Sequence, residues 1–475
     1  MLTNHLKLGD KKMKTRIEKD SVGELEIPVD AYYGVQSYRA KLNFPITGRK
    51  MNSEMIDSLA QVKKASAIAN HIDGGLTDEL YGAIVDACDY VLAGNLHDQF
   101  ITDPIQGGAG TSANMNANEV IANRAIEILG HEKGEYKYVH PNDHVNMCQS
   151  TNDVYPTAGK LTALKLIDKM IPKLEHLLAA LNRKAVEYEN VIKMGRTQLQ
   201  DAVPVSLGGS FKAFATAIAR DIERIKKVTG ELKTINMAAT AVGSCINATQ
   251  GYYDNIMQCM RDVTGYDFVR SDNLYDGTQN LDGFVYVSGA LKTCAVNMSK
   301  MSNDLRLMSS GPKTGLGEIV LPPKQNGSSI MPGKINPVIP EVVSQVAFNI
   351  IGNDMTITMA AEAGQLELNA FEPVLFYNLF ESIVTLGNAA VTLADNCIDG
   401  IVANVELCRN YVDRSAGIVT ALCPVIGYVK SAEIAKKVVS SGKTAKEFLL
   451  EEGILTEKEI DEILDPVKLV HPIKE

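Results

Sequence analysis

Residues 211–232 read FKAFATAIARDIERIKKVTGEL. Phe211, Phe214, Ile218, Ile222, Ile225, Val228 and Leu232 fall three or four positions apart, the spacing that lines one face of an α-helix. Two more stripes repeat it. Leu291, Ala295, Met298, Met301, Leu305 and Met308 stop at Gly311-Pro312, a pair that ends helices. Leu161, Leu164, Ile167, Ile171, Leu174, Leu178 and Leu181 run across Pro172, where a kink is expected. Helices of this length exceed the usual globular mean. They predict a mainly α fold built on a long helix bundle, with copies of the same chain as the natural cover for the apolar faces.

The flanks differ from this middle. Residues 1–149 mix short apolar runs with turn signals and the Gly-rich segment QGGAGTSANMN. Residues 405–475 hold shorter helical patterns, TAKEFLLEEG and TEKEIDEIL, in which Thr444 and Thr456 have the form of N-caps. Three regions follow: an N-terminal domain over 1–149, a central helical-bundle domain over 150–404 and a small C-terminal helical domain over 405–475.

Composition narrows the function. The chain has 475 residues, 45% hydrophobic and 22% charged, which suits a large globular core and not a disordered chain. Its net charge of -10 argues against nucleic acid as the main partner. The eight cysteines are scattered without a C-x-x-C pair and read as reduced, mostly buried thiols. His131-Glu132 opens a zinc-like pattern, but position 135 is Glu135, so no metal site is assigned. The opening residues lack the apolar core of a signal peptide, and the charge-free run Met237 to Tyr253 is broken by Gly, Asn, Thr and Gln. A cytoplasmic protein without membrane contact is expected.

Four polar clusters interrupt the apolar pattern. GGAGTSANMNANEV places Thr111 and Ser112 after flexible glycines; CQSTNDVYPT places Ser150, Thr151, Asn152 and Asp153 before a stripe; GRTQLQDAVP carries Thr197 and Gln198. The fourth, QNGSSIMPGKINPVIPE over residues 325–341, is a loop, because two glycines and two prolines within its first thirteen residues forbid regular structure. Its Asn336-Pro337 has the form of an N-cap followed by Pro at the first helical position. Each cluster alone is most simply a set of caps. Together, if the helix starts meet, their unpaired N–H groups and positive dipole ends would hold a small dianion within an acidic protein. Lys334, the one cation between Gln325 and Asn336, suits a carboxylate.

The loop GSSIMPGKINP resembles the signature of the fumarase/aspartase superfamily. RIEKD, IPVDAYYGVQSYRA, HVNMCQSTND, KMGRTQLQDAVP, NDLRLMSSGP and EAGQLELNAFEPV are similar to family segments in their usual order. The resemblance implies a three-domain helical subunit and a homotetramer around a shared helix bundle, with each active site assembled from three subunits. It also implies a carbon-nitrogen lyase that converts L-aspartate to fumarate and ammonia through an aci-carboxylate, with no organic cofactor. By position, Ser328 matches the base; Thr111, Ser150, Thr151 and Ser329 match binders of the β-carboxylate; Lys334 and Asn336 match binders of the α-carboxylate. Met331 matches the closing loop's cover, Asn152, Thr197 and Gln198 the region facing the amino group, and Gly327 and Gly333 the hinges of that loop.

Fumarases of the superfamily carry His where this chain has Gln198, and Ser-Ser-Asn-Asp where it has Ser-Thr-Asn-Asp; both differences favour aspartate. Ser244, Cys245 and Ile246 replace a family Thr, Gly and Leu, while Asn247 is kept. Glu341 matches a fumarase acid that pairs with the missing His. The competing readings are a fumarase, a lyase of an N-substituted aspartate, and an inactive structural or binding homologue.

Overall fold

A computed structural model describes residues 14–470. Residues 1–13, where the absence of a signal peptide's apolar core was read, lie outside that range. Seventeen α-helices and four two-stranded ribbons make up the described chain, which is mainly α as the stripes predict. Five of these helices exceed twenty residues: Thr151–Glu187, Leu207–Val228, Asp282–Met308, Val338–Glu362 and Glu372–Asn396.

Burial explains them. Phe211, Ile218, Ile222 and Ile225 are buried, as are Leu291, Ala295, Met298, Met301 and Leu305. Each large side chain taken from water contributes about 1.5–3 kcal/mol. Repeated at every turn, that outweighs the propensity differences of under about 1 kcal/mol between ordinary residues. The helix Thr151–Glu187 runs without interruption through Pro172. Pro156, in the same helix, has no N–H to give the carbonyl of Asn152, and the Asn236 side-chain amide donates to that oxygen instead at 3.0 Å.

The chain forms two compact units. The first takes the described residues up to Asp168 with Ile225–Ala290 and Gly352–Val384; the second takes Lys169–Arg224, Leu291–Ile351 and the described residues from Thr385 onward. Each of the five long helices contributes residues to both.

In the first unit, helices Ser53–Ile72, Asp78–Leu92 and Thr111–Ile128 share a core that includes Ala67, Ile84, Cys88, Ile121 and Ile126. Side-chain caps fix their entry: Asn52 accepts from the Glu54 N–H and Thr77 from the Leu80 N–H. Buried Glu119 caps the helix Val35–Asn43 from outside, accepting the N–H groups of Gly34, Gln36 and Ser37 at 2.8, 2.9 and 3.1 Å.

In the second unit an antiparallel hairpin pairs Ile192–Thr197 with Gln200–Ser206. Its Ile192 and Met194 join a core with Val412, Ile418, Leu422, Ile434, Phe448 and Ile460. Thr444 and Thr456 each close a capping box, with Glu447 and Glu459 as the reciprocal partners, in keeping with the N-caps read from sequence. Among the described residues the stretch Glu372–Gly400 alone is long and apolar enough to cross a membrane, and 61% of its apolar window is buried inside the fold.

Candidate active site

Two of the four polar clusters meet in the first unit. The helix Thr111–Ile128 follows Gly110, which has φ 86° and supplies no side-chain cap. Gln106 fills the gap by accepting the Ala113 N–H at 2.8 Å, so neither Thr111 nor Ser112 is spent on capping. Both hydroxyl residues line an open cavity of about 660 Å³ together with Lys19, Arg39, His140 and Asn142. At the second cluster Ser150 is the N-cap of the long helix. Its Oγ accepts the Asn152 N–H at 3.2 Å, and Asp153 returns the bond by accepting the Ser150 N–H at 3.0 Å.

Asn114 ties the two helix starts together. Its amide donates to Thr151 Oγ1 at 3.0 Å and to Asn146 Oδ1 at 3.2 Å. The same Asn146 oxygen accepts Lys63 Nζ at 2.7 Å and Asn118 Nδ2 at 3.2 Å, and Lys63 also donates to Gln149 Oε1 at 3.0 Å. Burial brings the Lys63 amine down to about 7 and the Asp153 carboxyl up to about 7, each opposed by the other's charge. Thr111, Ser150, Thr151 and Asn152 therefore stand on one connected, buried polar base.

The third cluster is not a helix start. Thr197 and Gln198 occupy the tip of the second unit's hairpin, where Gln198 and Leu199 have φ 54° and 63°. That two-residue turn carries neither Asn-Gly nor Asp-Gly, the usual signals, so the sequence pattern does not announce it. Beneath the tip, buried Glu318 takes an ion pair from Arg196 at 2.6 Å and from Lys193 at 3.2 Å. Burial also raises the Cys408 thiol, to about 11, with the Glu318 charge adding to the rise and Lys193 and Arg196 opposing it.

The fourth cluster is a loop, as read, and it is closed at its neck. Gly327 N–H donates to Lys334 O at 2.9 Å, and Asn336 Nδ2 donates to Gly327 O at 2.7 Å. A side chain at Gly327 would run into the Lys334 carbonyl, and Gly333 sits at φ 78°. The following helix begins at Val338, with Pro337 O accepting the Glu341 N–H, so Asn336 stands one residue before its N-cap position. Ser328 Oγ accepts the N–H groups of Ile330 and Met331 at 3.1 and 3.0 Å. Ser329, Met331 and Lys334 are exposed.

Thr111, Ser150, Thr151 and Asn152 belong to the first unit, and Thr197, Gln198, Ser328, Ser329, Met331, Lys334 and Asn336 to the second. Lys63, Asn114, Asn146, Gln149 and Glu318 were not read from sequence. One signal was available. Asn114, Asn116, Asn118 and Asn123 all lie on one helix, and four buried amides on one helix require partners. Among the described residues no group of three His, Cys, Asp or Glu side chains gathers as a metal site.

A family model described as Lyase matches residues 23–352, and one described as Fumarase C C-terminus matches residues 418–471. The aspartate ammonia-lyase of Bacillus subtilis (strain 168) is 52% identical over 457 residues, 96% of this chain and 96% of that one. The chain belongs to the fumarase/aspartase superfamily. Solved superfamily folds agree with the architecture. A Brucella melitensis protein described as fumarate lyase:delta crystallin, bound to cobalt, matches with a TM-score of 0.94 at 49% identity, covering 96% of this chain and 100% of that one. The class II fumarase of Schistosoma mansoni matches at 0.93 and 35% identity, covering 97% and 100%. The superfamily resemblance carried by GSSIMPGKINP and its companion segments is borne out.

Proposed function

We propose that this chain is a carbon-nitrogen lyase that interconverts L-aspartate with fumarate and ammonia. The observation that carries the reading is the 52% identity to an aspartate ammonia-lyase over 96% of both chains. Gln198 adds to it, since a neutral amide suits an ammonium-bearing substrate.

Ser328 removes the Cβ proton. A serine hydroxyl is a weak base at neutral pH, and the two N–H groups already aimed at its Oγ support an oxyanion form. The electron pair left on Cβ moves into the β-carboxylate, which becomes a dianion held by Thr111, Ser150, Thr151 and Ser329. The positive ends of the two helices joined through Asn114 favour that charge most when it is greatest, in the transition state. Lys334 and Asn336 hold the α-carboxylate and Met331 covers it, with Gly327 and Gly333 as hinges. Asn152, Thr197 and Gln198 face the amino group, which leaves as ammonia while the double bond of fumarate forms. Base and electron sink come from chain and substrate, so no organic cofactor is called for.

The same reading makes the protein a cytoplasmic homotetramer with each site built from three subunits, and divides the chain into regions 1–149, 150–404 and 405–475. Support for the assembly lies on the helix Val338–Glu362, where Phe348, Ile351, Met355 and Met359 leave 41 to 63% of their surface exposed along one face. Ser328→Ala tests the mechanism. Turnover of L-aspartate falls about 10²–10⁴-fold, the range general-base catalysis supplies, while light scattering shows an unchanged mass. Near-normal turnover by Ser328→Ala would contradict the assignment of the base.

A further inference from the structure

Residues 236–249 form an arch in the first unit that backs directly onto the Ser150–Asp153 motif. Its backbone is unusual. Ala238, Thr240, Cys245 and Asn247 all lie at positive φ, between 58° and 73°, a region that costs non-glycine residues and above all a β-branched one such as Thr240. Thr240 is buried as well, and its Oγ1 has no hydrogen-bond partner. At position 245, where the superfamily pattern has Gly, this chain holds Cys245 at φ 59°. Such a conformation persists only if its surroundings fix it.

Three hydrogen bonds hold the arch's Asn236–Ala241 limb, and all three end on the motif. Thr240 N–H donates to Asp153 Oδ2 at 3.0 Å. Asn152 Nδ2 donates to Ala241 O at 2.7 Å. Asn236 Nδ2 donates to the Asn152 carbonyl, which Pro156 leaves free, and also to Thr278 Oγ1, both at 3.0 Å. The second bond has a chemical consequence. A carbonyl accepts only from a donor, so Ala241 O selects the NH2 end of the Asn152 amide and leaves Oδ1 as the end available to a ligand. An amide oxygen accepts from an ammonium group.

We propose that the arch is a positioning element for the amino group of the substrate: Asn236, Thr240 and the Ala241 carbonyl hold Asn152 with its oxygen turned toward the ammonium. This rests on the reading above that Asn152 faces the amino group. Asn236 and Thr240 are positioning residues and touch no substrate. The strain at Thr240 is the part of the device that exchanges stability for a fixed carbonyl direction.

The test compares L-aspartate with succinate, which has the same two carboxylates and no amino group. In Thr240→Gly the backbone strain and the unpartnered hydroxyl are both removed, so Tm stays level or rises. The arch gains freedom, and KM for L-aspartate increases about tenfold while the inhibition constant of succinate stays within about twofold. Asn236→Ala gives the same asymmetry, with the mass by light scattering unchanged. A merely structural role moves both constants together, or lowers Tm along with activity, and either result overturns the proposal. So does an unchanged KM in both variants. Asn152→Ala separates the two layers of the argument. If it shows the asymmetry and the arch variants do not, the arch is not the positioning element, whereas if it shows none, the assignment of Asn152 to the amino group fails and the proposal with it.

Discussion

Glu372 begins the helix Glu372–Asn396 with its carboxyl buried, and burial pushes that carboxyl up to about 8, with the charge of Lys160 pulling the other way. Lys160 donates to Thr234 O at 2.7 Å, and its amine is pushed down by burial. In the unfolded chain the Glu372 carboxyl titrates near 4.5. Between those two values the folded protein binds one proton more than the unfolded chain. The stability from this proton is full below about 4.5 and is lost as pH rises to about 8, at no more than about 1.4 kcal/mol per pH unit. Glu372→Gln removes that slope. Urea midpoints at pH values of about 5.5 and 7.5, at one protein concentration, should draw closer together in the variant; equal slopes in both proteins would show that Glu372 is ionised throughout. The depressed Lys160 amine works in the opposite sense, since the folded protein holds that proton less firmly than the unfolded chain does.

At the scale of elements, the hairpin and its buried ion pairs are the joint the sequence did not disclose. Glu318 lies more than a hundred residues from Lys193 and Arg196, and no local pattern links them. Removing the negative charge leaves buried Lys193 and half-buried Arg196 unmatched beside the tip that carries Thr197 and Gln198, at a cost of about 3–5 kcal/mol. Glu318→Gln should therefore lower Tm clearly and reduce kcat/KM for L-aspartate, and an unaltered Tm would show that the pairs are not coupled to the fold. The long helices were legible because burial on one helix face writes a 3.6-residue period into the chain, and the caps at Thr444 and Thr456 because a capping box is local. The hairpin escaped because Gln198 and Leu199 adopt positive φ without the residues that advertise it. Asn336 was misplaced as a cap because the helix starts one residue later than the Asn-Pro pair suggests, at Val338. The Lys63, Asn114 and Asn146 base was hidden because its members come from three separate segments. The roles given to Ser328, Lys334 and Gln198 came from resemblance, since loop hydroxyls and amines carry no periodicity.

For the whole molecule, the exposed apolar face of Val338–Glu362 is the feature that one chain leaves unfinished. A second copy laid against it would bury Phe348 and Met355, while a charge placed there would have to be buried without a partner. Phe348→Glu should shift the mass measured by light scattering from that of the proposed tetramer toward a smaller species, and an unchanged mass would place the interface elsewhere. The central claim concerns chemistry, and one spectrophotometer trace reaches it. Purified protein is mixed with L-aspartate, and separately with L-malate, without added cofactor, and the ultraviolet absorbance of fumarate is followed. A rise with L-aspartate and none with L-malate is the predicted result; a rise with L-malate alone, or silence with both, would contradict it.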